Sequence, residues 1–364
     1  MTVLLISILT GCLLVQGLFW LAARKLGLSP EMGIGKSDDL PAISVLIAAR
    51  NEAQHLAVFL PKVLAQDYPS FEVVVANDAS TDGSALLLDS LEKDYGHLRV
   101  LNFPHKKGEG KKIVLQEALR MARNEWIVLT DADCRPCSNR WLRGLAQHFK
   151  PGTDLVMGYG PYAYGQGWIK DFIRFEAFMT AVLYGTFQRF GMPYMAVGRN
   201  LAIRRDCLAV AQESEAYGSS PFGDDDLAVQ AIARADNTAL QFHPEAWVES
   251  VSKESFSAYI MQKRRHLSVS RFYKVGHQVV LAILGAAQAL FYPVLVGLLP
   301  GNILTCAFFF VLRTLIFAPA CLARMQQLGL GDLKQKVFFL DFQFSLYYWW
   351  ISLRLLSLKK LSWR

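Results

Sequence analysis

Trp126-Ile127-Val128-Leu129-Thr130-Asp131-Ala132-Asp133 joins an apolar, β-branched run to two carboxylates one residue apart. A short run of this kind, bounded by polar residues, predicts a strand buried on both faces. The same rhythm precedes it: Ile43 to Ala48, Phe71 to Ala76 and Leu98 to Phe103 read as strands, and Glu52 to Gln66, Asp82 to Tyr95 and Lys111 to Arg123 as helices. Strands alternating with helices of these lengths predict an α/β fold, a mostly parallel sheet flanked by helices. Ligands of such sheets bind beyond the carboxyl ends of the strands. Three polar, acid-bearing segments stand there: Ala49-Arg50-Asn51-Glu52, Asn77 to Asp82, and Asp131-Ala132-Asp133. After Asp133 the rhythm loosens, which points to a second half devoted to another substrate.

The chain has 364 residues, 52% hydrophobic and 19% charged, with a mean hydropathy of +0.23. Soluble domains carry about 25% charged residues, so part of this chain belongs in a membrane. Disorder, which needs little hydrophobicity and much charge, is excluded. The net charge of +7 suits an anionic membrane face or a phosphate-bearing substrate. The aqueous part lacks a basic run with interleaved aromatics, so no nucleic acid partner is expected. Six scattered cysteines in a long chain do not make a disulfide framework.

Val3 to Ala23 is uncharged, and Arg24 and Lys25 follow. A helix of that length rises about 30 Å, enough to cross a hydrocarbon core. Basic residues behind the run rather than before it predict an uncleaved span, residues 1–25, with its C-terminal end in the cytoplasm; the alternative is a buried core helix. Val279 to Leu299 and Ile303 to Ala323, joined by Pro300-Gly301-Asn302, predict a membrane hairpin over 279–323 with basic flanks on the same side. Arg313 inside it is costly and should face protein or a lipid headgroup. The segment 337–356 carries Asp341 and Arg354 among Tyr and Trp, and either crosses or lies in the interface. Residues 36–275 remain as the aqueous domain.

Asp131 and Asp133 can share one divalent cation, and hard oxygen ligands suit Mg²⁺ or Mn²⁺. Such an ion would clamp a diphosphate and neutralise a departing phosphate; the alternative is a solvated turn. Asp78 is placed to accept hydrogen bonds from a base or ribose, whereas Asp82 reads as a turn and cap residue. Asp224-Asp225-Asp226 opens a helical pattern. Acids at a helix start gain from the macrodipole, but three in a row also repel, which raises one pKa and makes a competent base. Gln262-Lys263-Arg264-Arg265-His266 reads as a positive-inside flank that would also suit a diphosphate leaving group. Cys134-Arg135-Pro136-Cys137 is a lone CxxC without the second pair a zinc site needs, and is incidental.

In this order the motifs resemble the membrane-bound inverting glycosyltransferases of family 2, which carry a GT-A catalytic domain. The resemblance covers residues 40 to 275: Ala49-Arg50-Asn51-Glu52, Asp78, Gly110-Lys111-Lys112, Asp131 with Asp133, Gly198-Arg199-Asn200, Asp224-Asp225 where the family has Glu-Asp, and Gln262 to His266 where processive and lipid-glycosylating members have QxxRW. It implies donor contacts at Glu52, Asp78, Lys111, Asp131, Gln262 and Arg265, a metal on Asp133 and Asp131, and catalysis by Asp225 with Asp224 beside it. Asp225 is the expected general base. Two departures stand out: Asp224 replaces Glu with Asp226 added, and His266 replaces Trp. The implied reaction moves a sugar from a nucleotide-diphosphate sugar to a lipid or glycan hydroxyl at the cytoplasmic face of the cell membrane. The single N-terminal span and the C-terminal hairpin resemble ceramide glucosyltransferase-like enzymes. A short-chain polysaccharide synthase is the alternative within enzymes, and a non-catalytic membrane scaffold the alternative outside them.

Overall fold

The computed structural model describes residues 1–27, 39–106, 108 and 110–355. The expected domain start at 36 and segment end at 356 fall outside them. The chain forms two compact units. Met1–Gly27, Tyr164–Arg189 and Lys253–Leu361 make up one, and Leu28–Ala163 with Phe190–Ser252 the other.

The second unit holds a seven-stranded sheet. Its elements in chain order begin β1 (Ile43–Ala49), α2 (Ala53–Leu64), β2 (Phe71–Asp78), α3 (Ser84–Asp94), β3 (Leu98–Phe103), α4 (Lys112–Met121) and β4 (Trp126–Asp131), with α1 reserved for the N-terminal helix below. They continue as β5 (Cys134–Pro136), α5 (Trp141–Ala146), β6 (Leu155–Gly158), β7 (Leu201–Arg204), α7 (Arg205–Gln212), α8 (Glu215–Gly218), α9 (Asp224–Ile232), β8 (Thr238–Gln241) and β9 (Val248–Ser250). The strand order is β3-β2-β1-β4-β7-β6-β8, and β5 pairs with β9 in a small second sheet. β1 to β4 run parallel; β7 enters antiparallel between β4 and β6. The strands expected from sequence are all present, and the sheet is mostly parallel with one reversed strand.

Alternate β1 residues cover one face of the sheet. Ile43, Val45 and Ile47 pack with Leu56, Leu60 and Val63 of α2, and with Trp141, Leu142 and Leu145 of α5. Register fixes what stands at the strand ends. Ala48 pairs with Ala76 on one side and Asp131 on the other, and Ala49 with Asn77. The polar segments after β1, β2 and β4 therefore lie side by side along one edge.

The first unit contains α1 (Thr2–Ala23), α6 (Trp168–Arg189), α10 (Phe256–Val269), α11 (Val275–Leu298), α12 (Ile303–Gln327) and α13 (Val337–Leu355). Three of these, α1, α11 and α12, are long and apolar enough to cross a membrane. Arg313 of α12 is buried and fully engaged by protein. Its guanidinium donates to both oxygens of Asp341 on α13, at 2.6 and 3.0 Å, and to Gln16 Oε1 of α1 at 2.6 Å. Tyr292 and Gln288 of α11 also donate to Asp341, at 2.7 and 3.1 Å. One ion pair thus ties four helices together. Removing one partner of such a pair leaves a buried charge and costs about 3–5 kcal/mol. Asp341→Asn is accordingly expected to lower the thermal transition of the detergent-purified chain sharply. The double change Arg313→Met with Asp341→Leu is expected to recover only part of that loss, because Gln16, Gln288 and Tyr292 lose these partners.

Charges make α6 look aqueous in sequence, yet they are paired within this unit. Arg174 donates to Asp332 at 2.6 and 2.9 Å, Lys336 to Asp171 at 2.7 Å, and Lys263 of α10 lies 2.5 Å from Glu176.

Candidate active site

The loops after β1 and β2 are stitched to each other. The Asn51 N–H donates to Ser80 Oγ at 2.9 Å and the Thr81 N–H to Asn51 Oδ1 at 2.8 Å. Asp82 accepts from the Ala53 N–H at 3.0 Å and from the Ser84 N–H at 2.9 Å, so it serves the starts of both α2 and α3, a cap role as expected. Asn51 and Ala79 adopt left-handed backbone, with φ of 55° and 51°. For non-glycine residues that conformation is uncommon and clusters at functional sites. Asp78 is buried with its carboxylate 3.6 Å from Arg50, whose guanidinium also donates to the Asp78 carbonyl at 3.3 Å. Glu52 lies beside α2 with its carboxylate 2.5 Å from His55 Nδ1.

Lys111, just before α4, is the centre of the arrangement. Its Nζ lies 2.6 Å from Asp131 Oδ1 and 3.2 Å from Asp224 Oδ2. A lysine at a helix start opposes the macrodipole, so this position is kept for another purpose than helix stability. Burial opposes its charge, but Asp131, Asp224 and Asp225 together hold its pKa well above the ordinary lysine value. Next to it, Lys112 Nζ donates to the carbonyls of Tyr217 and Ser220 at 2.8 and 2.9 Å, and burial brings its pKa down to about 8. Gly110 lets this loop approach: its φ is +78°, and a Cβ would stand 2.2 Å from the Pro221 carbonyl oxygen. These contacts bring the start of α9 onto the start of α4, and so Asp224 to Lys111.

The acid triplet divides its roles. Asp224 is buried. Desolvation is the largest influence on its carboxyl and outweighs Lys111; with Asp225 and Asp131 adding repulsion, the pKa is pushed up to about 6. Asp225, the residue expected as base, accepts from the Gly198 N–H and from the Asp226 N–H, both at 2.8 Å. A Cβ on Gly198 would stand 2.7 Å from Asp225 Oδ2, so only glycine admits this contact. Nearby, buried Asn200 accepts from Trp141 Nε1 at 3.0 Å and donates to the carbonyls of Tyr159 and Ala246, each at 2.8 Å. Gly198-Arg199-Asn200 thus fixes the frame around the acids.

Asp131, Asp133 and Cys134 present one ligand atom each, all within 4.8 Å of one another. The two half-buried carboxylates fit a small hard cation; Lys111 engages one oxygen of Asp131 and not the pair. The Cys134 thiol donates to Asp133 Oδ1 at 3.3 Å. The sequence reading set this cysteine aside with its CxxC; only the chain's path from β4 into β5 places it there. Gln262 and Arg265 lie on α10, in the unit with the apolar helices, whereas Glu52, Asp78, Lys111, Asp131, Asp133, Asp224 and Asp225 all belong to the sheet unit.

Residues 44–209 match the sequence profile described as Glycosyl transferase family 2. That segment is a family 2 glycosyltransferase domain on a GT-A-type sheet. A 105-residue segment is 33% identical to the beta-monoglucosyldiacylglycerol synthase of Nostoc sp., covering 28% of this chain and 22% of that protein. A 131-residue segment is 29% identical to Glycosyltransferase AglE of Haloferax volcanii, covering 35% and 42%. A 91-residue segment is 31% identical to the poly-beta-1,6-N-acetyl-D-glucosamine synthase of Staphylococcus epidermidis, covering 25% and 21%. The matches span less than half of these curated relatives. In structure, the chain resembles the mannosyltransferase PcManGT from Pyrobaculum calidifontis, solved in complex with GDP-Man and Mn²⁺. The TM-score is 0.58 at 19% identity, over 95% of this chain and 98% of that one, a likeness of fold.

Proposed function

We propose that the chain transfers a hexose from a nucleotide-diphosphate sugar to a lipid hydroxyl, in a single displacement with inversion, at the cytoplasmic face of the cell membrane. The observation that carries this reading is Lys111 held between Asp131 and Asp224 at the carboxyl end of β4. Lys111 would compete for Asp131 with a divalent cation on Asp131 and Asp133, which leaves the ammonium to the diphosphate. Asp131 and Asp133 would hold Mg²⁺ or Mn²⁺, which supplies charge neutralisation at the departing diphosphate. Asp78 takes the nucleoside from its buried place at the end of β2, and Glu52 lines the donor side. Lys111 stabilises the diphosphate by charge. Gln262 and Arg265 are assigned to the same leaving group through the family's QxxRW pattern.

Asp224 is the better general base of the triplet. A diphosphate that engages Lys111 weakens its ion pair with Asp224, and the Asp224 carboxylate then becomes more basic. Asp225 acts as a positioning residue through Gly198. Gly198→Ala is expected to push Asp225 aside and lower turnover by up to about 100-fold with donor affinity little changed; equal turnover would remove that role.

A lipid acceptor is supported by the three apolar helices and by the glucosyldiacylglycerol synthase relatives. The poly-beta-1,6-N-acetyl-D-glucosamine synthase relatives support a glycan acceptor instead. Incubation with labelled nucleotide sugars and a lipid extract separates the two: label should enter the organic phase, and label found only in water-soluble polymer would favour the glycan. The cytoplasmic side is tested with Ser90→Cys, an exposed site on α3. It should resist an impermeant thiol reagent in intact cells and react once they are opened.

A further inference from the structure

Within the unit that carries the apolar helices, α6, α10 and α13 surround an open cavity of about 260 Å³. Aromatic rings build it. Trp168 and Phe256, at the starts of α6 and α10, have centroids 5.9 Å apart, Phe172 lies 5.6 Å from Tyr347, and Phe256 lies 6.3 Å from Trp350. Among the described residues, no charged side chain lines it. The one amide in the lining is Gln343, whose Oε1 is buried and has no hydrogen-bond partner among the described residues. The described lining is therefore apolar, with a single unmet polar group.

We propose that this cavity holds the aliphatic chain of an uncharged, hydroxyl-bearing lipid in a docked pose that its hydroxyl leaves before transfer; the lipid is the acceptor class of the reading above, on which its identification as acceptor rests. An apolar cavity of about 150 Å³ takes up a benzene ring, so this one takes a chain segment of roughly ten carbons. A buried polar atom without a partner is costly. A hydroxyl both donates and accepts, so it satisfies the Gln343 amide in either orientation. A peptide would bring a backbone N–H and C=O at every residue, all needing partners, and one amide cannot meet them. A phosphate would need a cation in the lining, and the described lining residues supply none.

The test uses the full chain in nanodiscs with a photoactivatable, diazirine-bearing diacylglycerol, its O-methyl ether, and a phosphatidic acid of the same chains. Labelled peptides are mapped by mass spectrometry. Diacylglycerol should label the peptides around Trp168, Phe256 and 343–350. Gln343→Leu should lower that labelling by about tenfold and leave labelling by the ether unchanged. Leu346→Trp, at a half-exposed cavity position, should fill the space and suppress labelling by both neutral probes. Labelling elsewhere only, equal labelling by phosphatidic acid, or indifference to both substitutions would overturn the proposal. The readout is binding, not transfer. Mapped labelling without sugar transfer upholds the cavity and removes the acceptor role. Transfer to lipid without mapped labelling upholds the transferase and removes the cavity.

Discussion

Asp133→Asn is expected to lower turnover by about a thousandfold or more, while the thermal transition stays near that of the wild type. The substitution keeps size and removes one of the two carboxylates that converge after β4. The side chain is half-buried on a loop rather than in the packed core, so the fold does not depend on its charge. Its loss takes away a hard anionic ligand, and with it neutralisation of the diphosphate at the moment of departure. Wild-type enzyme in strong chelator should show the same defect, reversed by excess Mn²⁺. The mutant should be rescued poorly, because its site and not the supply of metal is defective. A mutant with full turnover would remove the metal role of this pair.

The second large effect is expected at Asp224. Asp224→Asn should cost about 100- to 10,000-fold in turnover, the usual range for loss of a general base. Asp225→Asn should cost less, because its carboxylate is spent on the N–H groups of Gly198 and Asp226. The pH profile carries the same assignment. The Asp224 carboxyl is pushed up to about 6, chiefly by burial. A base works ionised, so kcat/KM, which reports the free enzyme, should fall as pH drops through about 6 and level off above it; kcat should fall at a higher pH, because the bound diphosphate has engaged Lys111. If Asp225→Asn is the dead variant and Asp224→Asn retains turnover, the base lies one residue further along and Asp224 is left as the partner of Lys111.

The sheet from β1 to β4 was legible because its signal is local. Each strand is a short apolar run, each intervening helix has its own periodicity, and the acids at the strand ends needed only the parallel topology to converge. β6, β7 and β8 were not resolved in advance. They are four residues each, too short for a periodic pattern, and β7 is reversed. Helix α6 lies within 36–275, the span read as the aqueous domain, and its Asp171, Arg174 and Glu176 are paired by residues of the unit that carries the apolar helices. Their partners Asp332, Lys336 and Lys263 lie far along the chain, and sequence pattern does not reveal such pairs. The same holds for Arg313, whose need to face protein or a lipid headgroup was legible but whose partner Asp341 was not. At the site, the acids and Lys111 were found individually. That Lys111 bridges Asp131 and Asp224 follows from Gly110 and Lys112 docking the loop before α9, contacts set by three-dimensional packing alone.

The most direct test is release of nucleoside diphosphate by the purified chain. It would be offered a panel of nucleotide sugars with Mn²⁺ and a neutral hydroxyl-bearing lipid, beside Asp133→Asn and Asp224→Asn controls. One donor should yield nucleoside diphosphate in step with a sugar-bearing lipid, with Mn²⁺ required and both variants nearly silent. Release from no donor, or release equal in wild type and both variants, would contradict the assignment of these acids to sugar transfer.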